Sequence, residues 1–518
     1  MKHCIEPERP DLRGVKCPVV EGSDSIGESH LIYLSDESRI TGGTPNRIYF
    51  PRSTAETAEA IRDVASRSEH VTVSGGRTGI VGGAVPLDSE NLLSTVELTT
   101  APGVSYNGHF ECWCVRAAAG VTLEELDEHL RNSPPEPGLR LFYPVDPTER
   151  SCSLGGNVAA NASGARTLHY GPTRDWVLAL TVVLADGGIL RLTRGGVRAQ
   201  NARFLLHDGS GGTREIPIPD IPMPRTKHVA GYYVREDMDL LDLFVGGEGT
   251  LGVVTEIDLR LEAEAREILY LSLFLPESKV LPVVRRLKSS LDPLALEYMD
   301  RRSLALLAAY KEEQGAASEV PSFPTDAEAV LYTELAGDLE SIYESLAALL
   351  EEMEIDLQSS WSGSSRTDGE AMKAFRHALP ERINSLIAAR KAEIPELTKI
   401  GTDMAVPDEA VPEMLRTYRE SLDSRGLEYC IFGHIGNGHL HVNILPENTR
   451  QLSAGRELYR EFARKAVELG GSVAAEHGIG RLKREFLRIQ YDEEEIRGMR
   501  RIKEILDPEG LLNPGVLF

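Results

Sequence analysis

Ser153-Leu154-Gly155-Gly156-Asn157-Val158-Ala159-Ala160-Asn161-Ala162-Ser163-Gly164 is the segment from which the fold of this 518-residue chain is read. Almost every side chain in it is small or an amide. A packed core has little use for such a run, because small side chains bury little apolar area. A backbone lying flat against a large planar ligand does need it, with Asn157 and Asn161 supplying amide groups. Two more glycine clusters flank the segment. Upstream, the strand-like Val71-Thr72-Val73 runs into Ser74-Gly75-Gly76-Arg77-Thr78-Gly79-Ile80-Val81-Gly82-Gly83. Downstream, Val245-Gly246-Gly247-Glu248-Gly249-Thr250-Leu251-Gly252 leads into a strand at Val253–Ile257. Glycines permit positive φ and let backbone N–H groups approach an anion. Ser74 and Thr78 add hydroxyls, and Arg77 adds charge. The spacing is neither G-x-G-x-x-G nor G-x-x-x-x-G-K-[ST], which disfavours a Rossmann nicotinamide site and a P-loop. Taken alone, the first loop reads equally as a glycine-rich turn without a ligand.

Outward from these clusters, a βαβ pattern begins at Arg47-Ile48-Tyr49-Phe50. Ser53 and Glu56, at capping-box spacing, then open a helix that carries Ile61 and Val64 on one face and runs to about Arg67. Short β runs follow at Cys112–Ala117 and Val177–Leu184. After about residue 265, long helical patterns dominate, as in Tyr343–Met353 and Glu370–Lys391. They are broken by a loop near Pro321–Asp326 and by a β/loop stretch at 428–446. At roughly 100–200 residues per domain, the length predicts two or three domains. Hydrophobic residues at 41% and charged residues at 26% fit a soluble globular protein. A net charge of -24 argues against nucleic acid and anionic membranes as partners. The six Cys are scattered with no C-x-x-C pair, unlike a zinc ribbon, an iron–sulfur site or a disulfide framework. Without an apolar h-region at the N-terminus or a run of ~18 apolar residues, the expectation is a cytoplasmic protein with no transmembrane segment.

Three further motifs fall in order along the chain. Tyr143-Pro144-Val145-Asp146-Pro147 precedes the opening segment, Tyr170-Gly171-Pro172-Thr173-Arg174-Asp175 follows it, and Asn513-Pro514-Gly515 lies near the C-terminus. In this order the motifs resemble the flavoproteins of the vanillyl-alcohol-oxidase/PCMH type, and within them the FAD-linked D-2-hydroxyacid dehydrogenases. That family includes the flavin subunit of glycolate oxidase, D-lactate dehydrogenase and D-2-hydroxyglutarate dehydrogenase. The resemblance covers about 45 to 518. It implies an α+β fold, with a two-subdomain PCMH-type FAD-binding domain at 46–265 and an α+β substrate (cap) domain with a metal site at 266–500. A segment at 501–518 returns to the FAD domain, and 1–45 stands outside as an N-terminal extension. It also implies that FAD is held by Ser74, Gly75, Gly76, Arg77, Thr78, Gly79, Gly82, Gly83, Pro144, Asp146, Ser153, Gly155, Gly156, Asn157, Asn161, Gly164, Glu248, Gly252 and Asn513. Some relatives attach flavin through a His in the first loop. That position is Thr78 here, so noncovalent FAD is expected.

Gly433-His434-Ile435-Gly436-Asn437-Gly438-His439-Leu440-His441-Val442-Asn443 carries three histidines in eight residues. Strand periodicity places His439, His441 and Asn443 on one face, and the Gly-x-Gly turn folds His434 back toward them. Downstream, Ala474-Ala475-Glu476-His477-Gly478 sets an acid and a His beside small residues. Two imidazoles and a carboxylate are an adequate set for Zn²⁺ or Mn²⁺ with positions left for substrate. Hydrogen-bonded histidines in a polar core, or a chance cluster near a loop, are the plainer readings. In the family the matching metal ligands are His434, His441 and Glu476. Its turn is usually Gly-Asp-Gly-Asn, so His439 is an extra imidazole, either a further ligand or a hydrogen-bond partner.

Oxidising a 2-hydroxy acid removes a hydroxyl proton as hydride leaves C2 for flavin N5. A neutral imidazole suits that base near pH 7, and His477 matches the family residue. Its plainer role is to orient Glu476. The substrate carboxylate calls for a cation. Arg376 aligns with the family's, and bidentate geometry suits it; otherwise it is a solvated helix charge. Lys399 resembles a second family cation, displaced along the chain, and Asn443 joins the expected substrate-binding set. Pro380 stands where hydroxyglutarate-type enzymes carry a polar side chain, which argues against a clamp for a second carboxylate. The resemblance therefore implies a dehydrogenase for a small D-2-hydroxy acid such as lactate or glycolate. With no cluster of its own, the chain implies an electron-accepting partner: an iron–sulfur subunit, an electron-transferring flavoprotein or a quinone. The alternatives are an ether-lipid-synthase-like flavoenzyme, whose His-rich run is missing at 474–477, and a noncatalytic flavin-binding scaffold, which would not need the His/Glu set.

Overall fold

The structure, a computed structural model, describes residues 4–87, 90–207, 212–265, 267–315, 320–356 and 360–518. Residues 1–3 of the N-terminal stretch, 208–211 of the stretch 203–227, which carries none of the family motifs and reads as an insert, and residue 266 at the expected domain boundary lie outside the described residues. The fold is α+β. Its first unit is a four-stranded sheet in the order Val19–Glu21, Arg47–Tyr49, Asn91–Ser94, Val71–Ser74, the last three parallel. The helix Thr54–Ser66 connects two of these strands. Ser53 Oγ accepts from the Glu56 N–H at 3.2 Å, but the Glu56 carboxylate turns to the Arg52 N–H at 2.8 Å, so only half of a capping box forms. Ala58, Ile61 and Val64 are buried in one cluster with Val71, Leu93, Leu511 and Leu512. The segment near 512 therefore packs on this sheet. The Val71 N–H donates to the Leu511 carbonyl and the Asn513 N–H to the Val71 carbonyl, both at 2.9 Å.

The second unit is a five-stranded antiparallel sheet in the order Ile189–Thr193, Val177–Val183, Val253–Arg260, Cys112–Ala118, Gly103–Asn107. The opening segment of the sequence is a short helix, Leu154–Ala160, laid on it. Ser153 Oγ caps this helix from the Gly156 N–H, and Asn161 ends it at φ 48. Gly155 is required for that approach, since a Cβ there would stand 2.7 Å from the Ala119 Cβ. The strands Arg203–His207 and Thr213–Pro217, from the insert, pair with Cys4–Ile5 in a small separate sheet.

The third unit corrects one expectation. Residues beyond 265 read as mostly helical, yet they build a seven-stranded antiparallel sheet. Its order is Ser360–Gly363, Ile268–Leu275, Ala329–Ala336, Ala295–Asp300, Tyr429–His434, His439–Ile444, Ile400–Gly401. Ala329–Ala336 is buried along nearly its whole length, so it lacks the alternation that marks a half-exposed strand. The helices Leu339–Glu352, Arg366–Glu393 and Thr449–Glu468 do form where the helical periodicity lies. Among the described residues no helix is long and apolar enough to cross a membrane.

Candidate active site

A cleft with ≈ 1700 Å³ of empty space, its mouth included, runs between the first two units and ends against the third. One wall is the loop after Val71–Ser74, with Gly75, Gly76, Arg77, Thr78, Gly79 and Gly83 on its surface. The opposite wall is Ser153, Gly155, Gly156, Asn157 and Gly164, closed by Glu248, Gly252 and Asn513. Among the described residues, none of the seven N–H groups from Arg77 to Gly83 has a protein acceptor. Consecutive unpaired N–H groups form a concave anion site, and buried polar groups are rarely left unpaired. On the opposite wall, Asn157 Nδ2 is likewise buried without a partner. A Cβ on Gly79 would meet nothing within 4 Å, so the protein itself does not fill that space. These features fit a ligand with a flat body and an anionic tail.

Other expected flavin contacts serve the frame. Asn161 Oδ1 accepts from the Arg174 N–H at 2.9 Å, and half-buried Asp146 accepts from the Arg166 N–H at 3.1 Å. Pro144, Asp146, Asn161, Ser74 and Gly82 are not on the cleft wall. Gly82, at φ +73, leaves room for Ile40, whose Cδ1 would be 2.5 Å from a Cβ. Asn513 spans the two walls' supports, accepting from the Val73 N–H at 2.6 Å and donating to the Glu248 carbonyl at 2.7 Å. The Glu248 carboxylate accepts from the Ile479 and Gly480 N–H groups at 2.9 and 2.7 Å, and burial pushes its pKa up to about 7.

At the inner end of the cleft lie His434, Glu476 and His477. The Gly-x-Gly turn between the strands Tyr429–His434 and His439–Ile444 does fold His434 back. One ligand atom from each of His434, His439, His441 and Glu476 lies within 4.8 Å of all the others. His434 Nδ1 is 2.5 Å from Glu297 Oε1, and its Nε2 is 3.2 Å from Glu476 Oε1. His441 Nδ1 sits 3.1 Å from the Thr402 carbonyl, with Nε2 3.9 Å from Glu476 Oε2. Burial holds the pKa of His439 down to about 4 and that of His441 well below the usual value. The acids Glu297 and Glu476 raise that of His434 to about 9 despite its burial. His477 Nδ1 is 3.1 Å from Asp403 Oδ1, which also takes Lys483 Nζ on its other oxygen at 2.7 Å. The donor set fits a divalent metal.

Arg376 is no solvated helix charge. Its side chain is 16% exposed and its Nη1 is 3.2 Å from Glu297 Oε2, placing it behind His434 in a chain of buried charges. Asn443 follows His441 by two on the same strand face, without a hydrogen bond to the cluster. Lys399 is not joined to the cluster by any contact among the described residues; Arg39 is its cationic neighbour, and burial with that charge lowers its pKa. Sequence reasoning missed Lys227, whose buried ammonium pairs with Glu476. It also missed Glu297, Asp403 and Ser163, whose Oγ donates to Glu476 Oε1 at 3.2 Å. Lys227 lies in an insert without periodicity and carries no local signal. Ser163 had one, since it belongs to the small-residue run.

Comparison with known proteins settles the family. The "FAD binding domain" family model matches residues 45–193, and "FAD linked oxidases, C-terminal domain" matches 264–517. D-2-hydroxyglutarate dehydrogenase of Xanthomonas citri pv. viticola is 32% identical over 94% of this chain and 92% of its own length. The chain belongs to the FAD-linked D-2-hydroxyacid dehydrogenase family. Within this family of oxidoreductases, D-lactate dehydrogenase of Anaerostipes hadrus is 30% identical over 95% of this chain and 93% of its own. Glycolate oxidase subunit GlcD of Bacillus subtilis (strain 168) is 28% identical over 96% and 94%. An alkyldihydroxyacetonephosphate synthase structure superposes with a TM-score of 0.60 at 15% identity, covering 91% of this chain and 76% of that one, which shows the shared fold alone. For this FAD-linked family member, the unpaired N–H run and the orphaned Asn157 amide are the features that suit FAD.

Proposed function

We propose that the protein oxidises a small D-2-hydroxy acid of the lactate or glycolate type to its 2-oxo acid, with noncovalent FAD in the cleft and Zn²⁺ or Mn²⁺ at His434, His441 and Glu476. The observation that carries this reading is that Glu476 and His477 line the same cleft as the glycine loops. FAD, when bound, supplies a two-electron acceptor, and the metal supplies a Lewis acid. The protein's own groups do the rest. Asp403 accepts a hydrogen bond from the Nδ1–H of His477, which leaves Nε2 free to receive the substrate's hydroxyl proton. Arg376 and Lys227 balance the buried acids Glu297 and Glu476, and with them make the charge field of the cluster into which the substrate carboxylate is drawn. The small residues of 153–164 shape the slot and exclude water from it. All six cysteines are free, and among the described residues the metal-type cluster is the His/Glu one, so electrons leave to a separate carrier. That carrier is an iron–sulfur protein, an electron-transferring flavoprotein or a quinone.

The test is an anaerobic screen of 2-hydroxy acids against holoprotein of measured metal content, read by flavin absorbance. Bleaching by D-lactate or D-glycerate-like acids, but not by the L isomers, is the expected result. A flavin that no 2-hydroxy acid reduces would refute the proposal.

A further inference from the structure

We infer that His439 is a fourth metal ligand, giving a three-imidazole, one-carboxylate site that selects zinc over manganese. This rests on the metal reading above and goes beyond its three ligands. His439 is fully buried, and its ring nitrogens meet only loosely placed carboxylates, Asp403 at 3.3 Å and Glu476 at 3.9 Å, with no well-formed hydrogen bond on either. A polar side chain buried in that state is costly unless something else satisfies it. An apolar residue would fill the position without that cost.

The ring's setting repeats that of the other two histidines. His434 turns one nitrogen outward to Glu297 and the other inward to Glu476, and His441 turns one to the Thr402 carbonyl and the other to Glu476. His439 directs Nε2 outward, 3.3 Å from Asp403 Oδ1, and Nδ1 inward, 3.9 Å from Glu476 Oε2. Metal-binding histidines characteristically hold an outer acceptor in this way, which fixes the tautomer and orients the ring. Ring centroids of His439 and His441 are 4.3 Å apart, so both can face one ion. The strand gives the register: residues 439 and 441 share a face, and the turn returns 434 to it. Asp403 thereby becomes a positioning residue for both His439 and His477, coupling the ion's coordination to the base.

The chemical class of ion follows from the donors. Imidazole suits zinc and the later transition ions, whereas carboxylate and water suit manganese. Four protein ligands fill a tetrahedral zinc site, and expansion to five leaves one position for an oxygen of the substrate.

The experiment is X-ray absorption at the zinc edge of the zinc-loaded holoprotein, with zinc and manganese affinities measured by chelator competition for wild type and His439→Asn. Three imidazoles in the wild type and two in the variant are expected. Losing an outer-shell partner already weakens metal binding about 10–100-fold, so the variant's zinc affinity falls by at least that much, with a smaller loss for manganese. Flavin content and circular dichroism check the variant's fold. If it fails to fold, the imidazole count in the wild type still decides. Two imidazoles in the wild type, or unchanged zinc affinity in a folded variant, overturn the role of His439 and leave the three-ligand reading standing. A wild type that binds neither ion refutes both.

Discussion

His477 gains its chemical identity from Asp403. With Nδ1 held at 3.1 Å by a buried carboxylate, the opposite nitrogen is the one that can act on substrate. Truncation to His477→Ala should lower turnover by about 10²–10⁴-fold, the usual contribution of a positioned general base, while flavin content stays near one per chain. Near-native turnover with normal flavin would remove the residue from the reaction. Legibility at this scale was uneven. Glu476 and His477 stood out because an acid and an imidazole among small residues have no packing purpose. Glu297 and Lys227 did not, since each lies far along the chain from the residues it touches, and nothing in a local window distinguishes a buried charge from a surface one. Arg376 was legible as a cation, but its carboxylate neighbour Glu297 was not.

Among the elements, the stretch 228–230 is tied to the segment carrying Glu476 through His228. Its Nδ1 meets Ser472 Oγ at 2.6 Å, its Nε2 meets the Tyr491 hydroxyl at 2.8 Å, and the Val229 N–H donates to the Ala474 carbonyl. Burial, aided by the Arg174 charge, lowers the pKa of His228 from 6.5 to about 3. The unfolded chain therefore binds a proton that the folded chain refuses, and this group's contribution to stability is intact above the unfolded value and lost as pH falls from 6.5 toward about 3. The slope is at most about 1.4 kcal/mol per pH unit. Between pH 7 and 5, wild type should lose more of its denaturant midpoint than His228→Gln does. Equal losses would show that His228 is not held neutral. Elements with surface-exposed faces, such as Thr54–Ser66 with its buried Ile61 and Val64, were readable from the sequence. The central strands of the third unit were not, because burial on both faces erases period-two alternation.

Over the whole molecule, the cleft depends on residues remote in sequence. Asn513 accepts from the Val73 N–H across 440 positions and donates to the carbonyl of Glu248. Asn513→Ala leaves both groups without that partner, at about 1–3 kcal/mol for each one buried. The expected result is weaker flavin retention, read by equilibrium dialysis, in protein that stays folded; unchanged retention would limit Asn513 to a role in the local turn. The order of glycine clusters in the sequence made the cleft's two walls legible. What closes them was legible only through the resemblance, since a lone Asn-Pro-Gly reads as any turn.

That long-distance stitch sets a timetable for biogenesis. Val73 leaves the ribosome hundreds of residues before its partner amide exists, so a nascent chain passes through synthesis of the entire seven-stranded unit with an unfinished dinucleotide slot. Pigment capture is therefore a late event, completed only once the segment near 513 has been made and has folded back.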